Sequence, residues 1–116
     1  DPLRDDITLR DLKAKSARLG LLAALEGCAC VNLSTQSSQL AFERASAEDL
    51  RGLAGAPPRP VDVSHLLAEE QALNCFVPSG RYWEVSAGFD AAALARLDTG
   101  WLSAWQDRSK TGNAAA

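Results

Sequence analysis

The sequence predicts an α+β fold, with an antiparallel sheet of two hairpins packed against an N-terminal and a C-terminal helix. Three observations carry that prediction. Apolar residues recur at helical spacing near both ends: Leu9, Leu12, Leu19 and Ala23 at one, Leu94, Leu97, Trp101 and Trp105 at the other. Between them Arg81 to Phe89 alternates, with Trp83, Val85, Ala87 and Phe89 on one face of an extended chain and Tyr82, Glu84 and Ser86 on the other. Val77-Pro78-Ser79-Gly80 precedes this segment as a turn, which makes Asn74 to Val77 its partner strand.

The first helix is expected over Thr8 to Glu26. Thr8 and Asp11 have capping-box spacing, Ser16 falls in the helical repeat, and Gly27 suits the residue just past the end. Cys28 to Ser34 and Gln39 to Ala45 are short alternating runs around the polar Thr35-Gln36-Ser37-Ser38, the pattern of a hairpin. Ser46 and Asp49 repeat the hydroxyl-x-x-acid signal, so a short helix over Ala47 to Leu53, stopped by Gly55, follows. Three prolines between Gly55 and Pro60 forbid helix and central strand, and this segment is read as a surface loop. Asp62 or Ser64 then caps a helix to about Leu73, built on Leu66, Leu67 and Leu73. Asp90 caps the last helix. Gly100 marks a point where that helix could break, and a frayed tail is expected over 108–116.

Chain length fits one domain spanning all 116 residues. A hydrophobic content of 47 % with 23 % charged residues is that of a globular chain rather than a disordered one. The formal net charge of −3 gives no general attraction to phosphate backbones, which argues against nucleic acid as partner. No apolar run approaches the roughly 20 residues of a membrane span, so no membrane role is expected. Cysteines number three, an odd count that suits a reducing compartment; the expected location is the cytoplasm, with a mature exported form as the other option.

Cys28-Ala29-Cys30, with Cys75 and His65, is nominally a zinc set or a thiol-enzyme set. A single residue between thiols on a strand does not make the tight turn of a zinc knuckle. Cys28 also falls just past a helix C-terminus, where the dipole disfavours a thiolate. The simpler reading is that these cysteines pack as small hydrophobes. The carboxylate pairs Asp5-Asp6 and Glu48-Asp49 sit at helix starts, and Glu69-Glu70 reads as a solvated helix face. The glycines form no phosphate-cradling loop. No cofactor or metal is expected from these residues.

What remains is a set of aromatics. Tyr82, Trp101 and Trp105 are candidates for the centre of a protein interface, where aromatic side chains bury large area at little entropic cost. The competing reading places the tryptophans in the core between sheet and helix. The order of elements is loosely similar to that of small acidic secretion chaperones, which dimerise and hold an unfolded segment of their cargo; no motif carries that likeness. The expected function is a non-catalytic protein-binding or regulatory module of chaperone, immunity or adaptor type. Its partner is another protein or a second copy of the chain. The alternative is a small thiol-dependent enzyme or metal-binding protein using Cys28, Cys30, Cys75 and His65.

Overall fold

A computed structural model describes residues 11–54, 58–74 and 76–115. Its elements are α1 (Leu12–Leu25), β1 (Val31–Asn32), β2 (Glu43–Arg44), α2 (Leu50–Ala54), α3 (Ser64–Leu73), two short 3-10 turns (Tyr82–Glu84 and Ser86–Gly88) and α4 (Ala91–Ala115). Helix accounts for 54 % of the described residues and strand for only 4 %. The expected α+β architecture with an antiparallel two-hairpin sheet is therefore wrong: the core is built between helices.

The helix ends are set by local chemistry. Asp11 Oδ1 accepts from Ala14 N at 2.9 Å and caps α1, while Thr8 lies outside the described residues. At the other end Cys28 N donates to Ala23 O and Gly27 N to Ala24 O, with Gly27 at φ 76°. That pair of bonds is a Schellman C-cap, closed by the glycine expected there. Ser46 N donates to Asp49 Oδ2 and Asp49 N to Ser46 Oγ, a reciprocal capping box ahead of α2; Gly55 lies outside the described residues. Asp90 Oδ1 accepts from Ala93 N at 3.0 Å and caps α4. That helix continues through Gly100 without a break and keeps helical backbone through the expected tail to Ala115.

Both hairpins are corrected. Cys28 to Ser34 and Gln39 to Ala45 do meet, but β1 and β2 pair in parallel over two residues each, Val31 with Glu43 and Asn32 with Arg44. The chain between them is a crossover rather than a tight turn. Ala41 N donates to the buried Ser16 Oγ on α1 at 2.8 Å, and Ala41 O accepts from Trp105 Nε1 on α4 at 3.0 Å. Anchoring Ala41 to two helices carries the returning segment away from a hairpin path. Ser16→Ala should leave the Ala41 N–H without its acceptor and cost about 1–3 kcal/mol, read from the denaturation midpoint.

Among its described residues the second expected hairpin, 74–89, contains no strand. Asn74 takes left-handed geometry (φ 51°) to end α3, which removes the first residue of the partner strand, and Cys75 lies outside the described residues. Val77 to Gly80 is a turn as expected, closed by Gly80 N to Val77 O at 2.9 Å. The Tyr82 hydroxyl then accepts from Val77 N, folding the segment back on itself. Without a partner strand the alternation has no sheet to serve, and Val85 is left 47 % exposed. Ser86, Ala87 and Gly88 are weak strand formers and adopt 3-10 geometry instead.

The buried core joins Leu21 of α1, Val63 and Leu66 at the start of α3, and Leu97 and Trp101 of α4. Leu22, Val61, Leu73, Ala104 and Trp105 pack around it. The stripe Leu94, Leu97, Trp101, Trp105 turns inward along α4, as its three- and four-residue spacing requires.

Candidate functional site

Three helices and the segment after α3 enclose an apolar cleft of about 580 Å³. Its floor runs along α4 from Leu94 through Leu97 to Trp101, a length of about 10 Å at helical rise. Ala14 stands on the α1 side, Leu67 and Leu73 on the α3 side, and Phe76 and Tyr82 come from the connecting segment. Phe76 is 77 % exposed, the most exposed large apolar side chain among the described residues, and Leu67 is exposed as well. The cleft volume is in the range of sites that hold drug-sized ligands or the anchoring side chains of a partner.

The charged groups on its walls are satisfied by one another. Glu70 Oε1 of α3 accepts from Arg18 Nε of α1 at 2.5 Å and from Trp101 Nε1 of α4 at 3.0 Å, and Oε2 accepts from Arg18 Nη2 at 3.0 Å. The Arg18 guanidinium also sits 5.6 Å from the centre of the Trp101 ring. One turn earlier, Lys15 Nζ donates to Asp98 Oδ1 at 3.0 Å. These charge-assisted bonds, two-pronged between Arg18 and Glu70, join the helices and leave the cleft surface mainly hydrocarbon.

Of the sequence candidates, Tyr82 and Trp101 meet at this cleft, Tyr82 half-buried on its wall and Trp101 only 1 % exposed beneath it. Trp105 does not line the cleft. It packs on Phe42, with ring centres 6.2 Å apart, against Gly20, and under the guanidinium of Arg108. Arg108 is ion-paired with Glu43, so this cluster ties α4 to β2. The Trp83 side chain and Cys75 lie outside the described residues. Cys28 is exposed and Cys30 half-buried, both free thiols beyond the end of α1, and His65 is exposed on α3. Among the described residues no group of three or more His, Cys, Asp or Glu side chains could hold a metal ion. No described helix is long and apolar enough to cross a membrane.

Sequence reasoning missed Arg18, Leu67, Glu70 and Phe76. Beside Glu69, the sequence places Glu70 on a solvated face, but it is partly buried and bonded to two other helices, while Glu69 is exposed. Its partners lie 52 and 31 residues away, so no local pattern announces them. Phe76 carried a signal in principle, as an aromatic just past a helix end and before a Pro-Ser-Gly turn. Compared with known protein families, with curated proteins and with solved structures, the chain matches none.

Proposed function

We propose that this chain is a non-catalytic module that binds another protein, and that the α1–α3–α4 cleft receives an apolar segment of that partner. The observation that carries the reading is Phe76, 77 % exposed at the rim of a hydrocarbon-lined cleft whose charged side chains are already paired. Leaving a phenyl ring in water is unfavourable, and covering it on association recovers about 2 kcal/mol. Three sides of the cleft are helices with internally bonded backbones, which offer no edge for an added strand. Affinity there comes from side chains filling the cleft, as when an amphipathic helix is held in a groove.

Phe76→Ser should therefore weaken association while leaving Tm within the range of ordinary surface substitutions, because the side chain contributes little to the folded core. The direct test replaces Phe76 with photo-reactive benzoylphenylalanine in the source organism, with the same replacement at exposed Glu69 as control. A discrete adduct with a second protein from position 76 and not from position 69 supports the reading. Identical adducts from both positions, or none from position 76, overturn it. An adduct between two copies of the chain would move the partner to self-association.

A further inference from the structure

We propose that Glu70 sets the width of the cleft, and through that width the size of the apolar group the cleft admits. The inference rests on the reading of the cleft as a binding site. Glu70 belongs to α3, yet its carboxylate is shared between α1, through Arg18 Nε and Nη2, and α4, through Trp101 Nε1. The three helices so joined are those that line the cleft. The Arg18 bonds hold α3 toward α1 and the Trp101 bond holds it toward α4, and each is charge-assisted on at least one side. Arg18 is held in turn over the Trp101 ring, so the guanidinium stays against the wall rather than swinging across the opening. Leu67, Gln71 and Leu73 ride on the same helix, and any outward movement of α3 carries that wall with it.

Two substitutions isolate the tie from the space its side chains fill. Glu70→Gln keeps the shape of the side chain and one acceptor oxygen but removes the charge and the two-pronged pairing with Arg18. Arg18→Met keeps most of the stem, removes the guanidinium and leaves the Trp101–Glu70 bond in place. Two neutral probes of different size, indole and N-phenylnaphthylamine, are titrated against the wild type and both variants. Neutral probes avoid direct pairing with a freed arginine or carboxylate.

The ratio of affinities, larger probe over smaller, is expected to rise several-fold in Glu70→Gln and in Arg18→Met. A purely stabilising role would lower Tm in both variants and leave that ratio where it was. If the wild type binds both probes and neither variant changes the ratio, the role given to Glu70 is overturned. If the wild type binds neither probe, the cleft reading itself falls, which is a separate failure. Should Glu70→Gln not fold, Arg18→Met decides the matter alone.

Discussion

Trp101→Ala is expected to cost about 3–5 kcal/mol, the largest loss from any single truncation among the described residues. Trp101 is 1 % exposed and sits where α1, α3 and α4 meet, among Leu21, Val63, Leu66 and Leu97. Removing the indole opens a void that four branched side chains on three helices cannot close without leaving their own contacts. It also withdraws the Nε1 donor from the partly buried Glu70 carboxylate. A domain of this size is typically stable by about 5–15 kcal/mol, so the variant should stand near the edge of folding. Trp101→Phe separates the two contributions. It keeps an aromatic body in the site and loses the donor, while Glu70 retains both bonds from Arg18, so a smaller loss of about 1–2 kcal/mol is expected. Denaturant midpoints with an unchanged m value measure both. A Trp101→Ala protein within about 1 kcal/mol of the wild type would mean that the three helices do not share a packed core there.

The helices were legible because their signals are local. The caps at Ser46 and Asp49 and at Asp90 each act within three residues, and Gly27 ends α1 by its own backbone geometry; Asp11, expected as the acid of a capping box opened by Thr8, is instead itself the cap of α1. The inward stripe of α4 agrees with its spacing, whereas the repeat on Leu12 and Leu19 of α1 does not: both are exposed, and Ala14, Ala17, Leu21 and Ala24 are buried instead. Gly100 shows the limit of that approach. A glycine in a helical repeat suggests a break, but here a Cβ would lie 2.6 Å from Leu66 Cδ2, so the small residue admits a neighbouring helix. The strands were misread for the same reason in reverse. Alternation over 81–89 describes what a strand would bury, but a strand also needs a partner, and the preceding residues are spent on ending α3 and on a turn. The parallel crossover was decided by Ala41, whose two backbone groups are claimed by Ser16 and Trp105, 25 and 64 residues distant. Of the cleft, the aromatic residues Tyr82 and Trp101 stood out by type. The charged pair that joins its walls did not, since Arg18 and Glu70 each look like ordinary surface residues until the helices are packed.

Gly20→Val should be the most damaging substitution that adds rather than removes atoms, and Trp105→Phe should relieve it. A Cβ at position 20 would overlap Cζ3 of Trp105 and lie 2.7 Å from its Cη2 and 3.3 Å from Cε1 of Phe42. The indole cannot simply slide aside. Its Nε1 is bonded to Ala41 O, its edge meets Phe42 at an interplanar angle of 64°, and Arg108 lies 3.6 Å from the ring centre. Yielding to a larger residue would disturb all three, and with them the hold of the crossover on α4. Overpacking of this kind costs about 1–3 kcal/mol, and the gain from replacing a helical glycine is at most about 1 kcal/mol, so the clash prevails. Gly100→Ala is the instructive contrast. The atom it meets is a terminal methyl of Leu66, with the next contact at 4.0 Å, so a small torsion can make room and the helix-propensity gain offsets much of the cost. Trp105→Phe deletes Cζ3 and Cη2, the two atoms that crowd position 20. Alone it should destabilise, by losing packing and the bond to Ala41. Combined with Gly20→Val it should cost less than the sum of the two single changes, with a coupling of about 0.5–3 kcal/mol between them. Strict additivity in that double-mutant cycle would show that α1 and α4 do not approach through Gly20 and Trp105, and the anchoring of the crossover would have to be sought elsewhere.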